Sequence, residues 1–166
     1  YYPGADRPEA NPHLFRQHFE DLRIGDTVTT ATHTVTLQDI EDFAELSGDK
    51  FYAHMDANSL EGTIFTGRVA HGYFILSRAA GLFVDPPKGP VLLNYGIDTC
   101  RFTKPVYPGS TIQVKLTVQE KVDQELRNPE DIAKGIVKYY VEVVDETSDV
   151  VAVATILTMV KKRNQA

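Results

Sequence analysis

GRVAHGYFILSRAAGLFV, residues 67–84, is the stretch on which the fold turns. Its apolar residues (Val69, Tyr73, Phe74, Ile75, Leu76, Ala79, Ala80, Leu82, Phe83) almost surround a helix instead of marking one face. A helix that is apolar nearly all round is buried. DPPKGP, residues 85–90, terminates it, and the chain beyond reads as long strands. VLLNYGIDTCRFTKPV, TIQVKLTVQEKV, IVKYYVEVVDE and VVAVATILTMVKK are rich in β-branched and aromatic residues, and a short turn around Thr147 and Ser148 joins the last two as a hairpin. Upstream, GDTVTTATHTVT alternates as a half-buried strand does. LQDIEDFAELSG then reads as a short helix, with Thr36 as N-cap, Asp39 three positions on as in a capping box, and Gly48 as terminator. A buried helix must pack on a large apolar surface, and the strands supply the only one. The pattern therefore predicts an α+β domain in which a long antiparallel sheet wraps around one central helix.

That layout is the hot-dog architecture. The 166 residues suit one domain with a real core, and a composition of 42% hydrophobic and 24% charged residues suits an ordinary globular protein. No apolar run approaches the ~20 residues of a membrane span, and no secretory leader pattern is present. The net charge of −6 argues against general nucleic-acid binding. The single cysteine, Cys100, excludes an internal disulfide framework and reads as a structural thiol on a strand, which fits a reducing cytoplasm. Residues 1–12 are rich in Pro, Gly and polar side chains and read as a linker, so residues 13–166 are expected to form the domain, as a piece of a longer chain.

LSGDKFYAHMD, residues 46–56, places Asp49 and His54 five positions apart, just past the helix that Gly48 ends. They open an irregular stretch, residues 49–66, of a length that is usually functional or disordered inside a compact domain. An acid and an imidazole at this spacing are common by chance, with a turn-forming Asp and a surface His as the bland reading. The stretch leads, however, into VAHG at the start of the buried helix. A helix N-terminus presents unpaired N–H groups and a positive dipole end, and Gly72 there lets a ligand oxygen come close to the backbone. Asp49 and His54 as an acid/base pair, with Gly72 as oxyanion donor, make a plausible site. A packing glycine at Gly72 and a capping or core histidine at His71 are the plainer alternatives, and for His71 the plainer one is preferred. His13, His18 and His33 are scattered without Asp, Glu or Cys at zinc spacing, so neither a metal nor another cofactor is expected.

FAELSGDKFYAHMD followed by GRVAHGYF resembles the signature of the MaoC-like, (R)-specific enoyl-CoA hydratases: an aromatic, then Ser-Gly-Asp-x-Asn-Pro-x-His, then a segment ending His-Gly. Phe43, Ser47, Gly48, Asp49, His54, His71 and Gly72 match it in order. RFTKPVYPGSTIQV, residues 101–114, resembles the family's Pro-Val-x-x-Gly-Asp-Thr strand entry, with Ser110 in place of the Asp. The resemblance implies a hot-dog fold, a dimer or larger, and hydration of an enoyl-CoA thioester by Asp49 and His54. The family's Asn-Pro is replaced here by Phe51-Tyr52. In that respect the chain is similar to the C-terminal hydratase domain of the bifunctional ring-opening enzymes of phenylacetate degradation, where an aldehyde dehydrogenase domain comes first. This implies oxepin-CoA hydrolysis, with Phe51, Tyr52 and Tyr73 shaping the substrate pocket for a ring. Arg68, Arg101 and Lys104, with Lys161 and Lys162, are candidates to meet the CoA phosphates. A general 2-enoyl-CoA hydratase and a non-catalytic acyl-CoA-binding or assembly domain remain alternatives. A hot-dog thioesterase usually carries an acid on the central helix, and residues 72–84 contain neither Asp nor Glu.

Overall fold

The computed structural model describes residues 13–163, so the linker-like residues 1–12 lie outside the described part. The elements run β1 (Thr27–Thr34), α1 (Leu37–Ser47), α2 (Tyr52–Met55), α3 (Gly72–Phe83), β2 (Val91–Phe102), β3 (Thr111–Asp123), β4 (Lys134–Val144) and β5 (Val150–Lys161). All pairings are antiparallel, and the strand order is β1-β3-β4-β5-β2. Strict alternation of burial along β4 shows how the sheet makes its core. Gly135, Val137, Tyr139, Val141 and Val143 are buried, and the residues between them are not. Ile112, Val114, Leu116 and Val118 on β3 extend that apolar face.

α3 packs on this face across β1, β3 and β5. Phe74, Ile75, Ala79 and Phe83 are its buried positions, and they share one core with the strands. Full burial of such a side chain is worth about 1.5–3 kcal/mol, so this contact contributes substantially to the core. This is the predicted hot-dog arrangement, with one correction. α3 is not enclosed all round. Tyr73, Ser77 and Gly81, spaced by four residues, form an exposed stripe along it. Edge strand β2 is likewise open, with Leu93, Tyr95, Ile97 and Phe102 each more than 40% exposed.

The local signals act as read. The Thr36 hydroxyl accepts from Asp39 N–H and the Asp39 carboxylate accepts from Thr36 N–H, both at 3.0 Å, which completes a capping box. The same carboxylate bonds His33 Nε2 on β1 at 2.8 Å, fastening α1 to the sheet. The β4–β5 hairpin turns through Asp145–Asp149, with Ser148 in the left-handed region (φ 66°). Cys100 sits half-buried on β2, and burial pushes its thiol pKa up. No described helix is long and apolar enough to cross a membrane.

Candidate active site

α1 ends because Gly48 adopts the left-handed conformation (φ 79°), with its N–H on the Ala44 carbonyl at 2.9 Å. That conformation favours glycine. The chain then turns at once. The Ser47 hydroxyl donates to the Phe43 carbonyl at 2.7 Å and accepts from Asp49 N–H at 3.1 Å. Asp49 Oδ1 accepts from Phe51 N–H at 3.3 Å. Asp49 is thus held, half-buried, at the root of a short turn.

Residues 49–66 are not simply irregular. They contain the one-turn helix α2 and a 3-10 turn at Ala57–Ser59. Four residues cannot hold a helix by local bonding, so tertiary contacts must. The Ala53 carbonyl accepts from Val69 N–H at 3.1 Å. Ala53 is buried with Leu60 and Val69 in a small second core, against Phe65 and Tyr107. Arg68 Nε donates to the His54 carbonyl at 2.7 Å, and its Nη1 donates to Glu41 on α1 at 3.3 Å.

His54 therefore stands on a braced turn. Its Nδ1 lies 2.7 Å from the Val69 carbonyl. A carbonyl only accepts, so Nδ1 carries the proton and Nε2 is left bare for chemistry. His71 caps α3 in position but not by side chain. It is 1% exposed, and its Nε2 lies 2.9 Å from the Asp49 carbonyl, so that nitrogen carries its proton. Its Nδ1 is buried with no partner among the described residues. The rings of His54 and His71 stack, with centroids 3.7 Å apart and planes 22° from parallel, and Phe43 meets His71 edge-on at 5.0 Å. Burial pushes the His71 pKa down and the neighbouring His54 adds to this, against a partial opposing effect of the Asp49 carbonyl.

Donor atoms of Asp49, His54 and His71 all lie within 4.8 Å of one another. This cluster adds His71 to the Asp49–His54 pair that the sequence suggested. It has the composition of a metal site but not the geometry of one. A metal lies in the plane of each imidazole it binds, ~2.0–2.1 Å from nitrogen. Here the rings of His54 and His71 face each other, so their nitrogens cannot both point in plane at one ion. The arrangement suits proton transfer: a single water can bridge a gap of this size between Asp49 and His54.

Beside the cluster lies a cavity of about 390 Å³. His54 and Gly72 form part of its wall, and Ile75, Phe102, Val106 and Val151 give it an apolar interior. Gly72 is the first residue of α3, where a backbone N–H has no acceptor within its own helix. It is also a packing glycine, because a Cβ there would meet Phe102 Cε2 at 2.5 Å. Gly72 is thus a packing glycine that also lines the cavity.

Other expectations need correction. Phe51 and Tyr52 are 55% and 42% exposed, lie tilted against each other with ring centroids 4.6 Å apart, and do not line this cavity. Tyr73, on the exposed stripe of α3, does not line it either. Within one chain, none of these three shapes the pocket. Aromaticity was legible, but which way each ring faces depends on the turn of α2 and the angle of α3. Arg68 is spent inside the fold, with its side chain 17% exposed, so it is not a free cation for CoA. Lys104 does line the cavity, but Asp145 at 2.6 Å and Asp149 at 2.8 Å hold it, and their bonds raise its pKa further. Lys162 pairs with Asp123. Arg101 remains exposed on β2.

Residues 19–139 match the family described as MaoC like domain. Protein MaoC of Klebsiella aerogenes is 48% identical over 130 residues, which cover 78% of this chain and 39% of that protein. The chain thus spans well under half of that relative. An (R)-specific enoyl-CoA hydratase of Rhodospirillum rubrum is 30% identical over 115 residues, covering 68% of this chain and 76% of the hydratase. The solved structure of a monoamine oxidase regulatory protein from Archaeoglobus fulgius superposes with a TM-score of 0.79 at 32% identity, covering 88% of this chain and 95% of that one.

Proposed function

The chain belongs to the MaoC-like domain family, and from that premise we propose that it adds water to the β carbon of an enoyl-CoA thioester. The observation that carries this is the approach of Asp49 and His54, whose donor atoms lie within 4.8 Å of each other, beside an apolar cavity whose wall includes His54 and Gly72, the first residue of α3. A water between the pair donates its hydrogens to an Asp49 oxygen and to His54 Nε2, which leaves an oxygen lone pair for the β carbon. As the O–C bond forms, one proton passes to the pair and charge moves onto the thioester oxygen, where the Gly72 N–H stabilises it. The pair then returns a proton to the α carbon. The net change is one water added, with no redox step.

We further propose oxepin-CoA as the substrate, on the resemblance carried by Phe51-Tyr52 and the residues that flank them. There the β carbon already bears the ring oxygen, so hydration gives a hemiketal. Its collapse breaks the ring C–O bond and leaves a ketone and an enol that becomes an aldehyde. Such a product would suit a fused or associated aldehyde dehydrogenase as partner, in the cytoplasm. The open β2 edge and the stripe of α3 favour a homodimer, and a monomer mass in light scattering would remove that part. Purified chain is expected to turn over oxepin-CoA with a higher kcat/KM than crotonyl-CoA. The reverse order would make it a general 2-enoyl-CoA hydratase, and no turnover of either would favour a binding domain.

Arg68 gives a separate check. Arg68→Met is expected to lower kcat by about tenfold while KM for the thioester moves less than about threefold, because the clamp on the His54 carbonyl is lost and no substrate contact is. A raised KM with kcat intact would restore Arg68 as a CoA ligand.

A further inference from the structure

His71 does not line the cavity beside the pair, is buried, and is not needed for the proton inventory above, yet it contacts both members of the pair. A phenyl ring would fill the same space without leaving an orphaned nitrogen. Burying a polar atom without a partner is costly, so such an atom needs a reason. The reason is on the other edge of the ring, where Nε2–H reaches the Asp49 carbonyl at 2.9 Å. The face of the ring meanwhile lies 3.7 Å from that of His54. One side chain therefore fixes the main chain of the acid and the ring plane of the base.

We propose that His71 is a positioning residue: a neutral imidazole that ties the Asp49 backbone with its edge and supports the His54 ring with its face. The proposal rests on Asp49 and His54 being the water-holding pair. Among the described residues, the titratable groups that act on His71 are Asp49 and His54, while Phe43 packs against another side. Neutrality is part of the role. A protonated His71 would repel a protonated His54 across the stack, and its Nδ1–H would have no acceptor.

The two duties separate by substitution. His71→Phe keeps a flat ring beneath His54 and removes the N–H. His71→Gln keeps an amide N–H within reach of the Asp49 carbonyl and removes the ring. Each is expected to lower kcat for enoyl-CoA hydration by about tenfold or more, with KM within about threefold, since misplacement of reacting groups slows chemistry without loosening a site the residue does not line. Circular dichroism shows whether each variant folds. In wild-type protein labelled with ¹⁵N-histidine, His71 is expected to be the neutral Nε2–H tautomer at neutral pH and to protonate below the usual imidazole range, because burial lowers its pKa. Variants that both keep kcat within about twofold of wild type would overturn the proposal, as would a rise in KM at constant kcat or a protonated His71 in the spectra at neutral pH. The spectra decide the matter if the variants do not fold. They also stand if the wild type hydrates no enoyl-CoA, an outcome that sinks the assigned reaction but not the tautomer and its bond to Asp49.

Discussion

Asp49→Asn is expected to lower kcat for enoyl-CoA hydration by ~10²–10⁴-fold, the span that loss of one general acid/base typically produces. The substitution is conservative in shape. An Asn oxygen can still accept from Phe51 N–H, and Ser47 still holds the residue's own N–H. The bond from His71 reaches the main chain and survives too. What goes is the ability to take a proton from the bridging water. KM should change little, because Asp49 does not line the cavity. His54→Gln should cost a similar factor, and the double variant little more than either single one, because groups that act as a unit are not additive. Initial rates from the loss of enoyl-thioester absorbance measure this. If Asp49→Asn kept more than about a third of wild-type kcat, the pair would not be the base.

Gly72→Ala should have the second-largest effect, and it separates two roles that coincide at one atom. By propensity alone, alanine in a helix is better than glycine by about 1 kcal/mol. The clash wins, because the added Cβ would sit 2.5–2.8 Å from three atoms of the Phe102 ring. That ring is 49% exposed on an edge strand, so it can swing aside, and the loss of stability should stay near 1–3 kcal/mol. Catalysis has no such escape. The Cβ keeps the thioester oxygen from the backbone N–H, and losing one oxyanion donor costs ~10²–10³ in kcat. Gly72→Ala combined with Phe102→Ala removes the clash but not the obstruction. The double variant is expected to regain most of the melting temperature and little of the activity. Recovery of both together would reduce Gly72 to a packing residue.

Short-range chemistry decides the features that were legible in the sequence. Thr36 and Asp39 form their capping box, Gly48 takes the left-handed cap, and the turn near Ser148 closes its hairpin, each by bonds made within a few residues. The buried helix and the strands came from periodicity, and the hot-dog layout came from them. The features that stayed hidden depended on distant neighbours. α2 exists because Val69 and Arg68 hold it, so nothing in its own four residues announced it. Arg68 looked like a free charge until the His54 carbonyl and Glu41 claimed it. His71 reads in the sequence as a capping or core histidine, and it sits in the core without a side-chain cap bond, but its contact with Asp49 and His54 needed the return of the chain from α2 to α3. The exposed side of α3 escaped notice because Tyr73 counts as apolar in any pattern and still points outward.

The acid/base cluster and the sheet divide the labour in a way that bears on how such a protein can change. Ser47, Asp49, His54, Arg68, His71 and Gly72 come from one unbroken run of chain and brace one another within it. The sheet and its approaches give mainly apolar wall, through Phe102, Val106 and Val151. On the proposed reading, the chemistry is a cassette clipped onto a replaceable lining. Mutational drift along the strands can resize the chamber, and so the repertoire of acyl groups admitted, while the proton-handling parts keep their alignment.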